Sequence, residues 1–412
     1  MSGAWELLRG NRAFRAYWGA RLLSLSGDQL AMIALLVLAY RRGGSGWAVS
    51  ALLLAMTAPY LLGPLTGAAS DHFDPRRLMI LCDLGQAALF TVIALAPLPY
   101  PAVVALVAMT GVLAALFQPA GRTRLPAIVP AGRLQTANGL LGLGLNAGRA
   151  AGPLLGGLLV AAVGPERSLL ADAATFAASA LLLRALPARV NAADAGADAP
   201  SYLARLRDGL DTLRRHRVAR ALTIVLFLTV AFASLDNVAL VFLVGDALRG
   251  GSVLFGLLTA AYGLGMALGP GLLLPLADRV PAFAVLLAGF ALNGAGNVVT
   301  GLAPSAVAAA AGQAAAGVGN GLEIVGTDTV LQQRVRQDHL GTVIGAVSTA
   351  PIVATSIAYL AGGALVGAVG PRAVFVLSGV GIIAVVACVP LLLGRRGWRA
   401  TLAAAPAPRP GA

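Results

Sequence analysis

Long apolar runs, each about the length of a membrane crossing, alternate with short polar breaks along the whole chain. A helix needs about 20 mostly apolar residues to cross the hydrocarbon core. Runs that meet this fall near 16–40, 47–70, 77–97, 101–120, 138–163, 168–186, 220–246, 252–276, 281–302, 304–326, 341–369 and 372–394. Gly and Pro punctuate the turns between them, at Gly43-Gly44, Pro97 to Pro101, Gly164-Pro165, Gly250-Gly251 and Gly370-Pro371. The pattern predicts an all-α integral membrane fold of about twelve spanning helices. The first run is too long for a signal-peptide core and reads as the first span. One connection is long. Residues 187–200 are rich in Ala, Asp and Pro and read as a linker, and from Ser201 onward Leu203, Leu206, Leu210 and Leu213 recur at helical spacing opposite Arg. That segment predicts an amphipathic helix on the membrane surface. The expected division is 1–186, a first six-helix bundle; 187–219, a cytoplasmic linker; 220–394, a second six-helix bundle; and 395–412, a disordered tail.

Composition supports lipid as the solvent. Of 412 residues, 58% are hydrophobic and 11% charged, and mean hydropathy is +0.82. A soluble domain carries roughly 25% charged residues. The net charge of +13 raises nucleic acid as a partner. Its distribution argues against that, because the Arg residues cluster at the ends of apolar runs and form no basic face. Most of them fall in the two tails and the loops after every second run. The opposite loops hold only Arg41, Arg42, Arg167, Arg249 and Arg372. The positive-inside rule then puts both termini in the cytoplasm. Cys82 and Cys388 lie inside apolar runs, and His72, His216 and His339 have no metal-ligand spacing. No metal, cofactor or nucleophile–base motif is expected, which argues against an enzyme.

The two halves repeat. Ser26-Gly27-Asp28-Gln29-Leu30-Ala31 matches Ser234-Leu235-Asp236-Asn237-Val238-Ala239, and Asp71 matches Asp278. Gly156-Gly157-Leu158-Leu159-Val160, running on to Gly164-Pro165, matches Gly362-Gly363-Ala364-Leu365-Val366, running on to Gly370-Pro371. Two parallel six-helix repeats form a transporter architecture with the substrate path between them.

Further motifs carry a family resemblance. In the fifth run Gly139, Gly148, Gly152-Pro153 and Gly156-Gly157 stand at fixed spacing. Glycines so placed let a neighbouring helix approach closely, and Pro153 removes a backbone donor and permits a kink. The pattern resembles motif C, the antiporter signature of proton-driven drug exporters in the major facilitator superfamily. After the second run, Gly67, Asp71, Arg76 and Arg77 resemble that superfamily's motif A. Phe117-Gln118-Pro119-Ala120 with Leu125-Pro126, and Thr327-Asp328-Thr329 with Leu331-Gln332-Gln333-Arg334, are similar to its enterobactin-exporter-like branch. The resemblance implies a conformational gate formed by Gly67, Asp71, Arg76, Arg77 and the repeat mate Asp278. His72, Asp74 and Pro75 depart from motif A and point to a weaker or pH-sensitive gate. The resemblance further implies a bacterial inner-membrane protein, acting as a monomer on a small-molecule substrate and on protons.

Charges inside spans need a partner or a task. Asp28 and Arg149 stand near the middle of the first and fifth runs and are expected to pair or share a water. Asp236, the mate of Asp28, has no matching Arg; it is the first candidate for a proton carrier, with a static bond to Asn237 or nearby backbone as its alternative, and Glu323 is the second candidate. Arg21, Asp83 and Asp172 also lie in or near spans. The combined expectation is proton-coupled efflux of a drug-like metabolite or siderophore. An importer of the same fold, or a non-transporting sensor or assembly protein, is the alternative.

Overall fold

The computed structural model describes residues 2–63, 66, 73–187, 217–273, 280–334 and 337–402. The proposed gate positions Gly67, Asp71 and Asp278, and the surface helix from Ser201, lie outside these residues. The described residues are helical throughout, with no strand among them. This follows from the solvent: lipid offers no hydrogen bonds, so a spanning backbone must satisfy its own. Seven helical stretches among the described residues are long and apolar enough to cross a membrane by length and composition alone. Leu81, Leu95, Leu143, Leu181, Leu272 and Leu302 are exposed, an outward apolar face that suits lipid.

The chain splits into two compact units, the first comprising residues 1–199 with 250–260 and the second the remainder. In the first unit, α1 (Ser2–Gly10) leads through the cap residue Asn11 into α2 (Arg12–Leu38), followed by α3 (Gly46–Thr57), α4 (Pro75–Leu95), α5 (Tyr100–Ile128), α6 (Leu134–Val163) and α7 (Pro165–Leu183). Helix α2 packs on α6 and α7, and α4 packs on α5 and α7. Phe14, Tyr17, Met79, Phe117, Leu125 and Leu183 form one core. The second unit holds α8 (Arg217–Ala233), α9 (Leu235–Phe242), most of α10 (Ser252–Leu273), α11 (Ala282–Leu302), α12 (Ala306–Arg334) and α13 (Gln337–Leu402). Helix α11 packs on α12 and α13, and α8 and α9 pack on α13. Leu222, Phe283, Leu286, Phe290, Val330 and Ile382 form its core.

The internal repeat is visible in the backbone. The first long helical stretch of each half ends in a wide π turn, Ala39–Gly43 and Leu243–Ala247. Gly164 between α6 and α7 has φ +85°, and its mate Gly370 has φ +79°. Glycine adopts this left-handed geometry without steric cost, and Pro165 or Pro371 follows. Gly370 therefore turns the chain inside the continuous helical run α13, separating the segments expected as 341–369 and 372–394. Beyond the last expected span, α13 continues to Leu402, so residues 395–402 are helical where a disordered tail was expected.

Three of the motif C glycines sit at close crossings. A Cβ on Gly152 would lie 2.6 Å from Gln29 Cβ, and one on Gly156 would lie 3.2 Å from Leu30 Cα, both on α2. A Cβ on Gly157 would lie 3.1 Å from Gly256 Cα at the start of α10, within the first unit. Pro153 is buried in the interior of α6. Gly139 and Gly148 differ, with open space where a Cβ would go.

At the start of α4, Asp74 caps the helix by accepting from Arg76 N at 2.9 Å, and Pro75 takes the first helical position, where no N–H is needed. Two departures from motif A thus serve a helix start. Arg76 donates to the carbonyls of Leu183 (3.3 Å) and Arg184 (2.6 Å), and Arg124 donates to the carbonyl of Pro187. These carbonyls lie at and just beyond the end of α7. Arg77 is largely exposed and stands 3.9 Å from Asp74.

Two outcomes are expected for the purified protein in detergent. Gly157→Val lowers thermal stability by an overpacking cost of about 1–3 kcal/mol, while Gly148→Ala leaves it unchanged or raises it, as alanine is the better helix former. Arg76→Ala destabilises by about 1.5 kcal/mol through lost hydrogen bonds from a charged donor, whereas Arg77→Ala costs less than about 1 kcal/mol, as an exposed ion pair does. Thermal unfolding of the four variants against the parent checks both.

Candidate functional site

Polar side chains inside the second unit gather on α9, α11 and α12. The stretch over 220–246, expected as one helix, carries a single turn residue at Ser234, which keeps helical φ/ψ and its N–H bond to the Val230 carbonyl, and whose Oγ shares a 2.9 Å hydrogen bond with Thr355 Oγ1 of α13. Asp236 stands in the first turn after it, at the start of α9. The backbone N–H of Asn237 and the side chain of Asn297 serve its carboxyl. Asp236 keeps part of its surface open, whereas Glu323 on α12 is only 6% exposed and accepts from Asn293 Nδ2 at 2.9 Å. Asn293 and Asn297 are four residues apart on α11 and so share one face. Each serves one acid, and Asn297 Nδ2 also donates to Ser378 Oγ at 3.2 Å. Tyr262 of α10 lies within electrostatic reach of both acids.

Close helix crossings let these groups meet. Cβ atoms on Gly289, Gly296, Gly319 and Gly326 would each fall within 3 Å of backbone on the facing helix, α11 against α12. An ionised side chain at mid-membrane costs about 2.5–3.5 kcal/mol on insertion scales. Neutral amides at hydrogen-bond distance offset part of that cost. Among the described contacts neither acid forms an ion pair.

In the first unit Asp28 is half-buried on α2, in the field of Arg21 two turns earlier on the same face. Arg21 stacks over the Phe117 ring, 5.1 Å from its centroid. Arg149, expected to pair or share a water with Asp28, is exposed on α6 and makes no ion pair among the described residues. Helix position alone gave the two residues a similar depth, but not the azimuth at which each faces. Asp83 and Asp172, set aside in the choice of site residues, are fully buried in the same unit. Asn293, Asn297 and Tyr262 were not anticipated either. The spacing of two Asn in an otherwise apolar run was the available signal.

Of the expected gate, Arg76 binds the end of α7 and Arg77 faces outward near Asp74. Gly67, Asp71 and Asp278 lie outside the described residues. No group of three or more His, Cys, Asp or Glu is placed to hold a metal ion among the described residues.

Comparison with known proteins bears on both fold and family. The chain is 24% identical over 390 residues to an uncharacterized MFS-type transporter, YfiS, of Bacillus subtilis (strain 168), covering 90% of this chain and 91% of that protein. It is 28% identical over 375 residues to the multidrug efflux pump Tap of Mycobacterium tuberculosis (strain ATCC 25618 / H37Rv), covering 86% and 87%. Among solved structures, the nucleoside transporter NupG superposes with a TM-score of 0.72 at 14% identity, covering 92% of this chain and all of that one. An inward-facing bacterial homologue of the iron transporter ferroportin gives 0.71 at 16%, covering 92% and 98%. These structural likenesses carry the fold alone. The family model described as Major Facilitator Superfamily matches residues 17–249 and 222–409. With nearly the whole length matched in two overlapping stretches, the chain belongs to the Major Facilitator Superfamily of membrane transporters.

Proposed function

We propose that this chain exports a small organic molecule from the bacterial cytoplasm in exchange for protons, by alternating access across the inner membrane, with both termini cytoplasmic and a single chain as the working unit. The observation that carries the reading is the pair of acids in the second unit, Asp236 and Glu323, each held by a neutral amide on α11. The similarity to a multidrug efflux pump and the motif C spacing of Gly139, Gly148, Gly152, Pro153, Gly156 and Gly157 support the outward direction. The enterobactin-exporter-like branch rests on the Phe117–Ala120 and Thr327–Arg334 segments, and on that basis siderophores stand beside drug-like metabolites as substrate class.

Asp236 is the first proton carrier in this scheme because part of its surface stays accessible where Glu323 is enclosed. A proton taken from outside neutralises the carboxyl, removes the electrostatic cost of enclosing it and lets the site reorient. Release on the cytoplasmic side restores the charge and favours capture of the next substrate. Arg76 and Arg77, with Gly67, Asp71 and Asp278, belong to the proposed cytoplasmic gate.

The reading is tested in proteoliposomes with an imposed proton gradient and ethidium as the probe. Gradient-driven ethidium movement is expected in the parent, running opposite to the proton flow. Asp236→Asn is expected to reduce it at least tenfold, with Glu323→Gln reducing it less. Undiminished driven movement in Asp236→Asn overturns the coupling. Ethidium moving in the same direction as the protons overturns export in favour of the importer.

A further inference from the structure

We propose that Asp83 and Asp172 form a second proton-binding site, inside the first unit, where α2, α4 and α7 meet. The site itself stands on the geometry of these helices; its use in transport rests on the proton coupling proposed above. Asp83 on α4 and Asp172 on α7 are both 0% exposed. Asp83 Oδ2 is 2.6 Å from Ser179 Oγ, and Asp172 Oδ1 is 3.2 Å from Thr175 Oγ1. The other oxygen of each carboxyl, Asp83 Oδ1 and Asp172 Oδ2, is buried with no hydrogen-bond partner. A buried carboxylate has up to four acceptor sites and no donor; one that is protonated carries its own O–H. A proton on the unpartnered oxygen removes the charge that this enclosure disfavours.

The internal repeat shows that the fold does not need acids at these positions. Helices α4 (Pro75–Leu95) and α11 (Ala282–Leu302) have equal length and the same place in the repeat, so the mate of Asp83 is Phe290, which is itself fully buried. Counting from the matched Gly164-Pro165 and Gly370-Pro371 turns, the mate of Asp172 is Ser378, which forms a neutral hydrogen bond with Asn297. The second unit thus closes the corresponding junctions with a phenyl ring and a hydroxyl–amide pair. Two acids retained here at a solvation cost mark a task other than packing.

The positions form a ladder. Asp172, Thr175 and Ser179 recur at i, i+3 and i+7 on one face of α7, a rise of about 10 Å, and Asp83 joins at the Ser179 level. At the other end, Gly27 faces Asp172 Oδ1 and Thr175 Oγ1 so closely that a Cβ there would collide with both. The next residue, Asp28, is partly buried and stands beside that end of the ladder. The charged and titratable groups around the site are Asp28 and Arg21 on α2, Cys82 beside Asp83 on α4, and the two acids themselves. On α5 the charges Arg122 and Arg124 lie near the far end, with Arg124 in the field of Asp74 and Arg76, and on α6 Arg149 is exposed.

Infrared spectroscopy of the full chain in lipid nanodiscs at neutral pH tests the site through the carbonyl stretch of protonated carboxylic acids. Asp83→Asn replaces one acid by its neutral isostere, and Asp172→Ser copies the repeat mate. Each is expected to remove part of the band with thermal stability preserved, and the double variant to remove more than either. An unchanged band in the double variant, or in whichever single variant folds, overturns the site. Ethidium transport separates the two proposals. A band lost in these variants, together with a parent that moves no ethidium, leaves the site standing and overturns the transport reading. An unchanged band, with export still abolished by Asp236→Asn, does the reverse.

Discussion

Lipid cannot hydrogen-bond, and that one property of the solvent dictates most of what this chain does. It forces the backbone into helices, since every N–H and C=O in a span must be paired within its own segment. It also removes the hydrophobic drive that would press helices together in water, because a leucine gains little by leaving a hydrocarbon environment for another one. Cohesion must come from close van der Waals contact and from polar groups that have nowhere else to go. Both appear at the helix crossings. Gly156 brings α6 onto α2, and Gly296 brings α11 onto α12, while Asn293 with Glu323 and Ser179 with Asp83 join helices through side chains.

The same constraint explains why the broad fold was legible. A span announces itself by length and apolar content, and Arg at alternate loops orients it; neither signal depends on tertiary contacts. The repeat was legible because glycine and proline turns such as Gly164-Pro165 and Gly370-Pro371 encode backbone geometry directly, and both glycines do adopt left-handed φ. The contact at Ser234 was not legible. Serine is tolerated within helices, and its hydrogen bond to Thr355 comes from a segment 121 residues away.

The site was legible by residue type but not by pairing. Mid-span charge picked out Asp28, Asp236 and Glu323, and each is a buried or half-buried acid. Linear position could not tell which face of a helix each presents, so Arg149 was matched by depth to Asp28 although it is exposed, and Arg21, two turns away on the same helix, was passed over. For the same reason the amides of Asn293 and Asn297 escaped notice: an amide inside an apolar run is unremarkable until the acid opposite it is known.

The repeat shows where duplicated halves have diverged in chemistry while keeping their backbone. Asp28 and Asp236 are mates, yet one stands in a continuous helix in the field of an arginine and the other opens a short helix facing neutral amides. Asp83 and Asp172 face mates that are Phe290 and Ser378. Packing accounts for the residues the halves share, such as the turn glycines, because both halves need the same backbone. It cannot account for acids that one half carries at a solvation cost and the other replaces with a ring or a hydroxyl at the same junction. Those positions are where the two halves differ in chemistry while keeping one backbone.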